Sequence, residues 1–352
     1  MQKAWFYEVY GPKEVLKLGD FPIPNPMYNQ LLIQVRAAAL NPIDFKRRQR
    51  PIFPSDFPVS RNRKYLRSKY VLVHGRPACG GRGRGECFVL VLLKNTTKAS
   101  EYYSSPALLR RKIKAAWNSG RVIVVEESLI AAKPKTISFE EAASLPLAVQ
   151  TAIEGFTTAG FKEGQTVFVV GGAGGVGTLV VQLAKHFYGA SLVVSTTSTP
   201  KVEFVRNLGA DEVVDYTKTR YEDIDKKYDL VYDTIGDSKG SFVLAKDAAP
   251  VVDITWPPSH PRAVYSSLTV SGENLEKLGP YLESGKLKAV IDPTGPYAFG
   301  DVIEAFRYLE TGRARGKVVI TSYPSQQLPS SIPSVIKNKV TSEMVNQKLS
   351  VY

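Results

Sequence analysis

Thr166-Val-Phe-Val-Val170 runs directly into Gly171-Gly172-Ala173-Gly174-Gly175-Val176-Gly177, and this junction decides the fold. The first five residues are the β-branched and aromatic run of a buried parallel strand. Beyond the glycines, Val176, Leu179, Val180, Leu183, Ala184 and Phe187 recur at helical spacing and form one apolar stripe. Gly172, Gly174 and Gly177 fit G-x-G-x-x-G. The first glycine permits the tight turn, the second lets a pyrophosphate approach the backbone, and the third allows close helix–strand packing. Free N–H groups at the helix start, with Ala173, Gly175, Val176 and Thr178 around them, then face the anion. A glycine-rich turn without a ligand is the plainer reading. The flanking strand and helix favour a nucleotide site.

The second strand bears on which nucleotide. An NAD site carries an acidic residue about 20 positions past the glycines, on the ribose hydroxyls. Here Leu192-Val-Val-Ser195-Thr-Thr-Ser198-Thr199-Pro200-Lys201 offers hydroxyls and one cation but no carboxylate. That set suits a 2′-phosphate and favours NADP(H). Thr199 as a cap before Pro200 is the purely structural alternative. Further strand–turn units at Glu212–Tyr216, Tyr228–Gly236 and Pro250–Ile254 alternate with helical patterns, which describes an α/β doubly wound parallel sheet.

The chain has 352 residues, 43% hydrophobic and 22% charged, which excludes general disorder and accommodates two domains. No apolar stretch approaches the roughly 20 residues of a membrane span. Cys79 and Cys87 cannot build a disulfide framework, and His74, His186 and His260 stand apart in sequence, so no metal site is expected. The start, Met1 to Phe6, resembles neither a signal peptide nor a transit segment, so a cytoplasmic location is expected, with chloroplast association second. The net charge of +13 is local. Residues 60–121 hold 15 Lys/Arg against Glu86 and Glu101, and the rest of the chain balances at 31 of each sign. A nucleic-acid face would spread its cations over a folded surface, so nucleic acid is not the expected partner.

Several stretches together resemble the zinc-free quinone oxidoreductase group of the medium-chain dehydrogenases/reductases, and within it the enone reductases. They are Lys3-Ala-Trp5 with Gly11, Ala37-Ala-Ala-Leu-Asn41-Pro-Ile-Asp44-Phe-Lys46-Arg47, Glu140-Glu-Ala-Ala-Ser-Leu-Pro146, the glycine motif, Asp215-Tyr-Thr-Lys218, Tyr281-Leu-Glu-Ser-Gly-Lys286 and Arg313-Ala-Arg-Gly-Lys-Val-Val319. The resemblance implies a GroES-like catalytic β domain over 1–125, a Rossmann NADP-binding domain over 126–286, a return to the first domain over 287–322 and a tail over 323–352. It implies NADPH-dependent hydride transfer to the activated C=C bond of enones of the 2-methylene-furan-3-one type, or to quinones, and a homodimer. It nominates Lys46 and Asn41 at the nicotinamide end as catalytic. Ser198, Thr199, Lys201 and Tyr216 fall around the adenosine phosphate, and Ile254, Leu268, Gly312 and Arg313 on the far side of the cofactor. Taken alone, Lys46 reads as a surface lysine, and for Tyr216 a core aromatic at a strand end is an equal alternative. No general acid stands out, so water is the expected proton source.

Residues 60–121 depart from the pattern. A strand pair ending in a Gly-Asp turn belongs there, and none is legible. The abrupt change and the Gly80–Gly85 run resemble a shifted frame or a mis-assigned exon, with a divergent insertion as the alternative. Two other functions follow from the departure: an NADPH-binding protein with impaired catalysis, and RNA or anion binding through the Arg/Gly block. The block is expected to lack a packed domain, apart from local helix around 106–117.

Overall fold

The computed structural model describes residues 1–21, 23, 29–51, 70–77, 87–92, 122–265 and 268–321. In chain order the strands are β1 (Gln2–Phe6), β2 (Lys17–Phe21), β3 (Gln30–Ala39), β4 (Tyr70–Pro77), β5 (Cys87–Leu92), β6 (Val122–Glu126), β7 (Ile130–Ala132), β8 (Thr166–Val170), β9 (Leu192–Thr197), β10 (Glu212–Asp215), β11 (Leu230–Asp233), β12 (Val251–Asp253), β13 (Tyr297–Ala298) and β14 (Val319–Thr321). The α-helices are α1 (Pro42–Gln49), α2 (Phe139–Ser144), α3 (Pro146–Thr158), α4 (Gly177–His186), α5 (Val202–Arg206), α6 (Ser238–Leu244), α7 (Gly272–Glu276), α8 (Gly279–Glu283) and α9 (Val302–Glu310).

Strands β8 to β12 form one parallel sheet in the order β10-β9-β8-β11-β12. The order reverses beside β8, and ligands of such sheets bind at the carboxyl ends of the strands at that switch point. The strands are apolar on both faces because helices cover both: Val167, Phe168, Val169 and Val170 are all fully buried. Helix α4 is buried almost all round, Val181 and Gln182 included, so the single stripe read from sequence understates its burial. His186, at its end, is exposed.

The other layer is a seven-stranded sheet, β13-β14-β3-β4-β5-β7 with β6 on β3. The return of the chain is a matter of strand pairing, since Val319, Ile320 and Thr321 pair antiparallel with Ala39, Ala38 and Ala37. The sheet corrects one expectation. Two stretches inside the basic block, Tyr70–Pro77 and Cys87–Leu92, are strands that pair with β3, with each other and with β7. Tyr70-Val-Leu-Val73 and Cys87-Phe-Val-Leu-Val-Leu92 have strong β propensity, which the arginine excess around them obscured. The expected helix at 106–117, the Gly/Arg run and the tail over 323–352 lie outside the described residues.

A smaller core joins the N-terminal part of the chain to its return. Trp5, Leu40, Phe299, Phe306, Leu309 and Val318 pack together, and Trp5 Nε1 donates to the Phe299 carbonyl at 2.8 Å. Arg48 is buried beneath them, paired with Glu310 and stacked at 4.9 Å from the Phe306 ring centroid. This pins α1 to α9, so the start of α1 has a fixed place relative to β14.

Helix α3 lies against the parallel sheet through Gly155, where an added Cβ would overlap the Tyr232 hydroxyl. That hydroxyl donates to the Thr151 carbonyl at 2.8 Å and is itself enclosed. Gly155→Ala is therefore expected to destabilise the fold by about 1–3 kcal/mol in urea unfolding. The double variant with Tyr232→Phe should recover part of that loss. An unchanged midpoint for Gly155→Ala would contradict the packing described.

Candidate active site

The turn from β8 to α4 is held by its own backbone and by its neighbours. Gly171 N–H donates to Thr196 Oγ1 and Gly172 N–H to the Thr196 carbonyl, each at 3.0 Å, which ties the turn to β9. Thr234 Oγ1, after β11, donates to the Val170 carbonyl at 2.7 Å. Gly171 has φ +82°, and a Cβ on it would meet Ile235 and Thr234 at 2.7 Å. A Cβ on Gly172 would overlap Ser195 Oγ, and one on Gly177 the Gly171 carbonyl. Gly174 differs. A Cβ there would meet only the Gly171 carbonyl, at 3.4 Å. Gly172 and Gly177 thus permit packing, and Gly174 leaves open space over the start of α4. Within α4 the Thr178 N–H already donates to the Gly174 carbonyl at 3.0 Å and the Leu179 N–H to that of Val176 at 2.9 Å, so the donors left for a dinucleotide diphosphate are the N–H groups of Gly175, Val176 and Gly177.

Ser198, Thr199, Lys201 and Tyr216 come together beside this turn, at the carboxyl ends of β9 and β10. Ser198 makes no side-chain cap bond, and Thr199 donates its hydroxyl to Asp215, so the hydroxyl cluster does not serve as a helix cap. Tyr216 is 56% exposed and is not a core aromatic; its N–H donates to the Thr197 carbonyl at 3.1 Å. Lys201 Nζ donates to the Arg313 carbonyl at 2.8 Å, which brings Arg313 and the neighbouring Gly312 to the same rim. Burial lowers the Lys201 pKa, and Arg315 lowers it further, against an opposite pull from Asp292.

One residue here eluded sequence reading. Asp215, from the third strand, places a carboxylate in the hydroxyl cluster. It accepts from Thr199, from Thr217 N–H at 3.0 Å and from Thr217 Oγ1 at 2.6 Å, with Lys218 Nζ at 3.4 Å. The Thr199 and Thr217 hydroxyls hold its pKa down at about 2. Absence of an acid from 192–201 was therefore only half of the matter: an acid is near in space, already engaged by hydroxyls and facing a lysine.

At the opposite end of the turn lie Asn41 and α1. Asn41 is buried; its N–H donates to Asp44 Oδ2 at 2.8 Å and its Nδ2 to the Ala39 carbonyl at 3.2 Å. Its Oδ1 accepts from Lys317, a second functional candidate that the sequence reading passed over. Lys46 lies half-buried further along α1. Ile254 and Leu268 are half-buried against the main core, Ile254 just beyond β12 with its N–H on the Asp233 carbonyl at 3.2 Å. Among the described residues no group of three or more His, Cys, Asp and Glu gathers as a metal site.

Two expectations follow. Gly174→Val should fold normally yet lose nucleotide binding, because the branched chain fills the open side of the turn. Circular dichroism with a nucleotide fluorescence titration checks it, and retained binding would place the site elsewhere. Asp44 is buried, which pushes its pKa up to about 7, against the pull of Asn41 N–H and Lys317. Between 3.8 and about 7 the folded state holds a proton that the unfolded state has lost, so this group withdraws stability as pH rises. The melting temperature of Asp44→Asn relative to wild type should therefore rise across that window. A constant difference would refute the assignment.

The profile of the "Zinc-binding dehydrogenase" family matches residues 208–320. The chain is 44% identical to 2-methylene-furan-3-one reductase of Solanum lycopersicum, over 92% of this chain and 79% of that one. It is 42% identical to the chloroplastic NADPH-dependent alkenal/one oxidoreductase of Arabidopsis thaliana, over 92% and 80%. The solved quinone oxidoreductase of Coxiella burnetii superposes with a TM-score of 0.74 at 27% identity, over 91% of this chain and 99% of that one. With its glycine turn at the switch point of a Rossmann sheet, and a β layer that the chain's return completes, this protein belongs to the quinone oxidoreductase-like medium-chain dehydrogenases/reductases, among the enone and alkenal reductases.

Proposed function

We propose that this chain is an NADPH-dependent reductase of the activated C=C bond of enones, of the 2-methylene-furan-3-one type, or of quinones. The observation that carries the reading is the open side of Gly174 above the start of α4, in a chain 44% identical to an enone reductase. When bound, the nicotinamide supplies a hydride for the β-carbon of the enone, and the α-carbon then takes a proton from water.

The chain's own residues do the positioning. The turn from Gly171 to Gly177, braced by the Gly171, Gly172, Gly174 and Thr178 N–H groups that bond within the protein, holds the diphosphate by the N–H groups of Gly175, Val176 and Gly177. Ser198, Thr199, Lys201 and Tyr216 surround the adenosine phosphate, with Gly312 and Arg313 closing the rim through the Lys201–Arg313 bond. The Asp215 carboxylate is occupied by Thr199, Thr217 and Lys218, which leaves Lys201 as the cation that meets the phosphate. Ile254 and Leu268 give the cofactor an apolar flank. Asn41, the cap of α1, and Lys46, one turn further along it, belong to the nicotinamide end, where a cation near the substrate carbonyl stabilises the enolate that forms.

Partners and place follow from the same reading. The substrate is a small enone or quinone, and two copies of the chain pair as a homodimer. Among the described residues no helix is long and apolar enough to cross a membrane. The Arabidopsis relative's chloroplastic name favours the chloroplast over the cytoplasm.

The test is a steady-state assay with NADPH and with NADH against a 2-methylene-furan-3-one. NADPH should be preferred by roughly tenfold or more in kcat/KM, with about 1.4 kcal/mol per decade. Lys201→Ala should erode that preference without weakening NADH. Equal use of the two cofactors would overturn the cofactor assignment, and nucleotide binding without enone turnover would favour an impaired, purely binding protein.

A further inference from the structure

Lys317 is 5% exposed, and its neighbours come from three parts of the chain. Its own segment lies along the glycine turn: Gly316 N–H donates to the Ala173 carbonyl at 2.9 Å, and Gly174 pairs with Gly316 as a parallel bridge. Its stem crosses Gly175, where an added Cβ would stand 2.8 Å from Lys317 Cδ. Its ammonium donates to the Leu40 carbonyl at 2.8 Å and to Asn41 Oδ1, at the N-terminus of α1. One side chain therefore spans from the diphosphate turn to the helix that carries Lys46.

An ammonium is an expensive thing to bury, and an apolar side chain would fill the same crossing more cheaply unless the cation has a task. Its acceptors show what it fixes. Asn41 has its N–H on Asp44 and its Nδ2 on Ala39, so the lysine completes the last acceptor that sets the rotamer of Asn41. Hydride transfer depends on donor and acceptor being aligned within a few tenths of an ångström, and small displacements cost large factors in rate.

We propose that Lys317 is a positioning residue for hydride transfer, which sets Asn41 and the start of α1 at a fixed distance from the glycine turn. The inference rests on the reductase reading. Burial lowers the Lys317 pKa to about 8, opposed by Asp44. The charged groups around it are Asp44 and, acting on Asp44, Arg47, both from α1. The glycine turn, β14 and the Ala37–Ala39 end of β3 carry no titratable side chain. On the segment paired with it, the Asp292 carboxylate is engaged by Thr294, Tyr308 and Arg315 N–H. Loss of the proton turns a charge-assisted bond to Asn41 into a weaker neutral one.

The experiment compares wild type, Lys317→Met and Lys317→Arg, with an enone and NADPH or NADPH deuterated at C4, on both sides of pH 8. NADPH affinity is measured by fluorescence, and amide exchange at Asp44–Lys46 in the nucleotide-free protein. In wild type, kcat should fall and its isotope effect rise above pH 8. Lys317→Met should keep NADPH affinity within about threefold, lose roughly tenfold to a hundredfold in kcat, show a larger isotope effect and lose the alkaline limb. Its amides at the start of α1 should exchange faster, and Lys317→Arg should restore part of kcat. Wild-type kcat in Lys317→Met, or a wild-type rate and isotope effect that do not change across pH 8, would overturn the proposal; the latter decides even if Lys317→Met does not fold. NADPH binding with no enone turnover in wild type would instead remove the reductase reading, and the proposal with it.

Discussion

The turn at Gly171–Gly177 is filled on two sides by its own protein and left open on a third, and the remaining architecture follows from that constraint. Its backbone is bonded to Thr196 on one flank and to Gly316 on another, and its neighbour Thr234 caps the β8 end. A side chain on Gly172 would strike Ser195 and one on Gly177 the Gly171 carbonyl, whereas Gly174 faces space. A turn packed this tightly cannot shift by itself. The Rossmann sheet, the rim at the carboxyl ends of β9 and β10 and the return strand β14 are consequently fixed to one another through it.

That arrangement explains why two layers distant in sequence make one site. The segment Gly316–Lys317 touches the turn and then continues as β14, which pairs with the Ala37–Ala39 end of β3 immediately before Asn41 and α1. Arg48 and the Trp5–Phe306 core anchor the same helix from behind. The start of α1 is thereby placed by strand register and close packing rather than by a loop, which is the rigid support that the proposed aligned hydride transfer requires.

Much of this was legible in sequence because local pattern and tertiary role coincide. The strand–glycine–helix junction carries its own periodicity, and Ser198, Thr199, Lys201 and Tyr216 gather at one rim because successive parallel strands end on the same edge. What escaped is non-local or masked by composition. Asp215 sits 16 residues from Thr199 and meets it only because β9 and β10 pair in register. Lys317 stands in a stretch quoted for its family likeness, yet nothing in linear sequence shows a lysine before a buried strand turning inward to a helix cap some 270 residues away. In the basic block, charge hid the strand-forming runs at 70–73 and 87–92, whose partners lie on β3 and β7.

The central claim is that a hydride is delivered to carbon, across a C=C bond, from NADPH held over Gly174. Its most direct measurement is the position of the label after turnover of a 2-methylene-furan-3-one with NADPH deuterated at C4, read by NMR of the product. The account predicts deuterium on the former exocyclic methylene carbon, none on the carbonyl carbon, and solvent hydrogen at the α-carbon. Deuterium on a carbinol carbon, or deuterium that never leaves the nucleotide, would contradict it.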